Sequence, residues 1–370
     1  MGGELSQGGA PKRPRILFVA SIGGTLAGFV APLSERLRAD GFETVAAAGN
    51  LGSLSGFDRA YELPTFRRRG PAEVLDALRT LTRVIRRERP ALLHLHTPPA
   101  LVIGRLAGRR LGVPSVAVVL GTFLEPWGRN AIIYASVEAA LARLSARTIA
   151  LNTEDAAFYR RWARPGTVEI APVGAAGLDR GRINSGRSHP RRVADPPSIL
   201  VVGRLTTDKN LDVAVEAFRR LQAEHPTATL TFLGSTVQGE PEWKVPPLPG
   251  VRHLPYTPDP YPIMAGADLI LSSSPREGLP NNVLEGLTLG IPVAAVTNRG
   301  VREIQKQCPS LLVVSRNDPA DLASAMRRAL GRQPSESERE RLLSTWSREA
   351  ALDFNCRLIR QILPPAAVRP

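Results

Sequence analysis

Short apolar runs alternate with longer amphipathic ones along most of the chain. Arg15–Ala20 (R-I-L-F-V-A) is a compact apolar run, which predicts a buried strand. Glu43–Ala48, Ala91–Leu95, Val113–Leu120 and Arg147–Leu151 repeat that signal. Between them, apolar residues recur every three or four positions and predict helices over Val30–Asp40 (ended by Gly41), Pro71–Glu88, a segment running through Leu111, and Ile132–Ser145. Asn152-Thr-Glu-Asp155 opens a further helix. In Pro71–Glu88 the spacing turns Val74, Leu75, Leu78, Leu81 and Ile85 inward and leaves Arg79, Arg83, Arg86 and Arg87 as an outer basic stripe. The pattern stops at Arg180–Pro197, a basic Pro/Ser/Gly-rich stretch without hydrophobic period that reads as a linker. It then resumes. Ser198–Val202, Thr229–Leu233, Val251–Tyr256, Ala267–Ser273 and Ile291–Val296 read as strands, and Leu211–Glu224, Asn281–Leu289 and Ala320–Leu330 as helices. Glu336–Ile362 reads as a helical tail with Trp346 and Phe354 on apolar positions.

Strands alternating with helices on both sides of the linker predict an α/β protein of two Rossmann-like, doubly wound domains. The expected division is a flexible tail over residues 1–14, a first domain over 15–180, a second over 198–340, and a tail over 341–370 that crosses back to the first domain. Ligands of such sheets bind where loops leave the carboxyl ends of the strands. Three of those loops carry chemistry. Ser21–Gly28 is Gly-rich, and Gly23 and Gly24 let backbone approach a phosphate, although the stretch is not G-x-G-x-x-G. Gly203-Arg-Leu-Thr-Thr-Asp-Lys-Asn210 offers Arg204 as a bidentate fork and Lys209 as a point charge, a pair suited to a diphosphate. Their alternative is ordinary surface charge at a strand end.

The richest stretch is Pro275–Glu303. Glu277 stands in a Gly/Pro loop before a helix N-terminus, itself an anion site, and Glu285 follows two turns into that helix. Each carboxylate can accept two hydroxyl hydrogen bonds, so the pair suits a sugar and a ribose on either side of a phosphate. The wording E-G-L-P (Glu277, Gly278, Leu279, Pro280) before the helix and G-I-P-V after it resembles the E-x7-E region of retaining glycosyltransferases of the GT-B fold, family 4. Gly203–Asn210 is similar to that family's G-R-x4-K-N loop. His94-x-His96-Thr97-Pro98, the Tyr134–Glu138 segment, Asn152–Asp155 and Gly174–Asp179 resemble the N-terminal half of bacterial members that make capsular and other surface polysaccharides.

The resemblance implies two GT-B domains facing across a cleft and a UDP-sugar donor bound mainly by the second. Glu277, Arg204 and Lys209 become the catalytic candidates. Gly23, Gly24, Gly203, Gly278, Leu279, Pro280 and Glu285 join them in holding the donor, with His253 or Tyr256 near the nucleobase. Glu277 would position the sugar and Glu285 the ribose. His96, Thr97 and Gly121 fall on the acceptor side, and the Leu120–Asn130 loop would read the acceptor. One departure stands out: many members have His-Gly where this chain has Leu120-Gly121. No Asp-x-Asp and no His/Cys cluster offers metal ligands, so no metal and no separate cofactor are expected.

Composition adds limits. The 370 residues carry 48 Lys and Arg against 34 Asp and Glu, a net charge of +14. Nucleic acid, an anionic membrane or an anionic substrate would each suit that balance. Aromatics at 5% are too sparse for a base-stacking platform, and no nucleic-acid motif is present. The two cysteines, Cys308 and Cys356, form no framework, which suits a reducing cytoplasmic setting. Arg67–Arg69 and the basic stripe fit a peripheral contact with the inner face of an anionic membrane. Two other readings stay open: a nucleotide-sugar 2-epimerase of the same fold, and a basic nucleic-acid-binding or scaffold protein.

Overall fold

The computed structural model describes residues 13–52, 54–64, 70–121, 129–171, 177–187, 197–236 and 242–363. Two sheets organise them. The first contains β1 (Arg15–Ala20), β2 (Glu43–Ala48), β3 (Arg59–Glu62), β4 (Leu92–His96), β5 (Ser115–Val119), β6 (Arg147–Ala150) and β7 (Val168–Ile170), in the order β3-β2-β1-β4-β5-β6-β7. The second contains β8 (Ser198–Val202), β9 (Thr229–Leu233), β10 (Val251–Leu254), β11 (Leu269–Ser272), β12 (Val293–Val296) and β13 (Leu312–Val314), in the order β10-β9-β8-β11-β12-β13. The pairs β3–β2, β2–β1, β1–β4 and β4–β5 of the first sheet and all five pairs of the second are parallel, as Leu17 beside Val45 and Ile270 beside Val293 illustrate. Parallel strands are covered on both faces, so their side chains read as continuous apolar runs. Ile16, Leu17, Phe18, Val19 and Ala20 of β1 are accordingly all buried. Around the second sheet, Phe218, Leu221, Leu230, Phe232, Leu269, Leu271, Leu322 and Met326 form one core cluster.

By spatial clustering the chain forms two compact units. One comprises Met1–Val118, Leu141–Thr148 and Leu352–Pro370; the other comprises Val119–Ala140 and Ile149–Ala351. Within the first unit, Arg360 of the tail donates to Asp40 at 2.8 Å. The tail is two helices rather than one, Glu336–Trp346 and Arg348–Ile362. They break at Ser347, which bridges to Leu178 in the second unit.

Several elements differ from the periodicity. The expected linker begins as a helix, Arg180–Arg187. Asp179 Oδ1 accepts from the Arg182 N–H as an N-cap would, and Ile183 is fully buried, so about two charged, Gly-rich turns around one apolar anchor hid it. In helix Pro71–Glu88 the buried face is Ala77, Leu81, Val84, Ile85 and Glu88, whereas Leu75 is 44% exposed. Leu75 lies about 140° around the helix from the centre of that face at 100° per residue. Glu88 is buried because Arg15, Arg59 and the Tyr61 hydroxyl surround it. The stripe residues Arg79, Arg83, Arg86 and Arg87 are exposed, while Arg67–Arg69 lie outside the described residues. Strand β3 escaped notice because three of its four residues are exposed at a sheet edge. Among the described residues, no helix is long and apolar enough to cross a membrane.

Candidate functional site

The order of the second sheet reverses between β8 and β11, and the loops leaving those two strands carry the sequence candidates. Ser273, just after β11, donates its hydroxyl to the Lys209 carbonyl at 3.0 Å, which ties the two loops together. Lys209 Nζ lies 2.5 Å from Glu277 Oε1. Arg204 reaches Asp208 at 3.4 Å. Burial would raise the Asp208 carboxyl, but the Thr206 hydroxyl and the charges of Arg204, Lys209 and Arg276 outweigh it and hold the group below the usual range. The charges of Arg204, Lys209 and Arg276 thus act on Asp208, and Lys209 also meets Glu277, so cations gather at this loop pair. Arg276 carried no motif signal.

The Glu277–Gly278 backbone is held from several sides. The Asn152 amide donates to the Gly278 carbonyl at 2.9 Å, and the Gly300 N–H to the Glu277 carbonyl at 3.2 Å. A Cβ on Gly278 would overlap the Leu120 carbonyl oxygen, so only glycine fits. Gly121 answers with φ +142°, and a Cβ there would come within 3.0 Å of the Gly278 nitrogen. The Leu120-Gly121 dipeptide therefore presses its backbone on the E-G-L-P loop; residues 122–128 of the expected acceptor loop lie outside the described residues. Asn152 is fully buried and also caps helix Thr153–Trp162, its Oδ1 accepting from the Asp155 N–H at 2.7 Å. That helix start is locked to helix Arg299–Gln305: Arg299 meets buried Asp155 at 2.7 Å, and Arg302 grips both oxygens of Glu154.

Helix Asn281–Thr288 begins at Pro280, with no side chain capping it. Its first N–H groups and the helix dipole favour an anion. Asn282 donates to the Val202 carbonyl at the end of β8, 2.9 Å away, and so fixes this N-terminus beside Gly203. Glu285 is the fifth residue of the helix, just past one turn rather than two. It is half-buried, and the protein packed around its carboxyl pushes it up to about 7; a hydrogen bond from Tyr261 (3.2 Å) and the Arg182 charge act the other way. Tyr261 is itself raised by burial and by the Glu285 charge. The Arg182 guanidinium lies 5.2 Å over the Tyr261 ring and pairs with Asp259 at 3.0 Å. Tyr261 and Arg182 belong to no recognisable motif, so spacing alone could not have singled them out, whereas Asn152 opens the Asn152–Asp155 motif without any sign that it reaches Gly278. His253 bonds the Gly234 carbonyl at 2.7 Å through its ring nitrogen, and Tyr256 is largely exposed.

In the first unit the order reverses between β1 and β4. Gly23 and Gly24 do not form an open turn. Gly23–Thr25 is already helical and runs through a π-turn, Leu26–Val30, into helix Ala31–Ala39. Gly23 packs against the backbone of Asn50 and Leu51, and its N–H is spent on the Gly49 carbonyl at 2.8 Å; Gly24 faces open space. Thr97 has φ +71°, an outlier for a β-branched residue, and its hydroxyl accepts from the Ser21 N–H at 3.0 Å. His96 is fully buried, its Nε2 2.9 Å from Nδ1 of His94. Burial lowers both, His94 to about 4 and His96 well below its ordinary value, so both rings are neutral. The His96 ring thus packs in the core, and Thr97 is the residue of this pair at the loop. Among the described residues, no three His, Cys, Asp or Glu side chains gather to hold a metal.

Known proteins bear on this arrangement. A family described as "Glycosyltransferase Family 4" matches residues 27–175, and one described as "Glycosyl transferases group 1" matches residues 196–332. A Bacillus subtilis (strain 168) protein named "Putative glycosyltransferase EpsD" is 28% identical over 334 residues, spanning 84% of this chain and 85% of that protein. Sucrose-phosphate synthase from Thermosynechococcus elongatus shares the fold with a TM-score of 0.72 at 16% identity, over 95% of this chain and 99% of its own. HepE of Anabaena, solved in complex with UDP-glucose, does so with a TM-score of 0.69 at 14% identity, over 94% and 99%. At such identities the solved structures speak for the fold, two Rossmann-like domains of the GT-B type, and the two family matches speak for the activity. The chain belongs to the family 4 glycosyltransferases.

Proposed function

We propose that this glycosyltransferase moves a sugar from a nucleotide sugar, a UDP-sugar, to a hydroxyl of its acceptor with retention at the anomeric carbon. The observation that carries the reading is the Lys209–Glu277 contact between the loops leaving β8 and β11. It sets a cation for a diphosphate next to a carboxylate for sugar hydroxyls. The name of the HepE complex, with UDP-glucose bound to the same fold, supports the choice of donor.

In this mechanism Arg204, Lys209 and the N-terminus of helix Asn281–Thr288 hold the diphosphate. Glu277 orients the hexose, and Glu285 accepts the ribose hydroxyls. The bond between the anomeric carbon and the phosphate oxygen breaks while the acceptor oxygen bonds to that carbon from the same face. The acceptor proton passes to the departing diphosphate. Fixed cations and helix N–H groups stabilise the charge that grows on the leaving group, and need no rearrangement as it forms. Metal is not required for that role when three arginine and lysine side chains already converge.

The test begins with thermal shift against UDP-glucose, other nucleotide sugars and NAD. A shift with NAD and none with any nucleotide sugar would overturn the donor. With a donor found, slow hydrolysis is followed by NMR; an α-configured donor should release the α-sugar first. Release of the β-sugar would sink retention. Conversion of the donor into an epimeric nucleotide sugar, without transfer, would favour the epimerase instead.

A further inference from the structure

Helix Arg129–Leu141 turns apolar side chains to solvent. Ile132 is 60% exposed, Ile133 63% and Val137 39%, and Ser136 and Ala140 share their face. The helix holds one carboxylate, Glu138, and that is buried, accepting the Tyr159 hydroxyl at 2.7 Å. Helix Thr153–Trp162 lies alongside, and Phe158 and Trp162 complete an apolar groove of about 410 Å³. Trp162 is 41% exposed. Next to it Arg161 is exposed, its guanidinium 5.5 Å over the Trp162 ring. The carboxylates at the far end of this helix are engaged, Glu154 by Arg302 and Asp155 by Arg299. The face is therefore apolar at its centre, aromatic at one border and cationic beyond.

We propose that this face docks on an anionic lipid bilayer. Ile132, Ile133 and Trp162 enter the boundary between headgroups and acyl chains, and Arg161 meets the lipid phosphates. A soluble monomer rarely leaves contiguous apolar surface without a use. Apolar and Trp side chains flanked by an arginine match the chemistry of an anionic interface, where buried apolar area and headgroup attraction add. A second copy of the chain fits less well, because each copy carries +14 and would bring its arginine border against another.

Co-sedimentation with vesicles tests this without donor or acceptor, so its failure leaves the transferase reading untouched. The full chain should pellet with phosphatidylglycerol-containing vesicles at 0.1 M salt and remain in solution with pure phosphatidylcholine. Ile132→Ser with Ile133→Ser, and separately Arg161→Glu, should each weaken recovery at least tenfold with melting temperature unchanged. Trp162→Phe should remove most of the blue shift in tryptophan emission that vesicles cause. Equal recovery on neutral and anionic vesicles, or variants that bind like the parent, would overturn the proposal. So would light scattering that finds a dimer split by the double Ser variant while vesicle binding persists, since the face would then belong to a second copy.

Discussion

Glu277 and Glu285 differ in surroundings, and that difference predicts different losses on substitution. Glu277 is held by Lys209 and is assigned to the sugar that reacts, so Glu277→Gln is expected to lower kcat with little change in donor affinity. Glu285 is assigned to the ribose, which does not react. Glu285→Gln should cost roughly 1.5–3 kcal/mol of donor binding, the worth of a hydrogen bond to a charged group, and spare kcat. Steady-state kinetics with donor titrations separate the two. Burial raises the Glu285 carboxyl to about 7, from an ordinary value of 4.5. Between those values the folded protein keeps a proton that the unfolded chain has released, so this group's contribution to stability falls as pH rises through 7. In the empty protein Glu285→Gln should therefore raise the melting temperature at pH 8 and change it less at pH 5. Donor affinity runs the other way. It should weaken in the parent as pH falls through about 7 and stay flat in the variant. A melting temperature lowered equally at both pH values would remove the assigned burial cost.

At the scale of elements, the start of helix Thr153–Trp162 does two jobs through one residue. Asn152 caps the helix and donates to the Gly278 carbonyl. Asn152→Ala should lose about 1 kcal/mol for the cap and also loosen the Glu277 loop. Asn152→Ser keeps a good cap but is too short to reach Gly278, so it should recover stability without recovering kcat. Full activity in the Ser variant would mean that the Gly278 contact does not position Glu277. Strand β4 supplies a second case. His94 and His96 are buried neutral, and burial depresses both below the ordinary value of 6.5, His94 to about 4. The unfolded chain takes up protons in that window while the folded one does not, so stability from this strand is present above pH 6.5 and drains away towards pH 4. Urea unfolding at pH 6.5 and 5.0 should show the loss, and His94→Asn should show a smaller one.

For the whole molecule, the spatial units do not follow chain order, because Leu352–Pro370 clusters with the first. Leu358 and Ile359 of this tail are buried, and Arg360 pairs with Asp40. A chain ending at Ala351 should expose that surface and lose cooperative unfolding of the first unit by calorimetry. Removing metal is expected to do little: with Arg204, Lys209 and Arg276 gathered at one loop pair, dialysis against a chelator should leave turnover with a UDP-sugar within about twofold, well below the tenfold that 1.4 kcal/mol of lost transition-state stabilisation would bring. A collapse of activity restored by magnesium would overturn the metal-free mechanism.

Local sequence determined ten of the thirteen described strands, all but β3, β7 and β13, and most of the longer helices, because a buried parallel strand is a short apolar run and an amphipathic helix repeats every 3.6 residues. The loops after β1, β4, β8 and β11 were legible for the same reason, and glycines, prolines and charges in them pointed to Gly23, Gly24, Thr97, Arg204, Lys209 and Glu277. What tertiary structure alone decided lies in contacts between distant positions. Lys209 meets Glu277 across 68 positions and Asn152 meets Gly278 across 126, and no periodicity encodes which loop faces which. The same holds for the state of a polar side chain. Glu285 and His96 have ordinary neighbours in sequence, yet the chain that folds over them raises one carboxyl and closes off one imidazole, since desolvation depends on everything packed around a group. Helix Arg180–Arg187 escaped because its own residues scarcely favour it; packing beside Tyr261, with Gly186 against Leu289, supplies what its composition lacks.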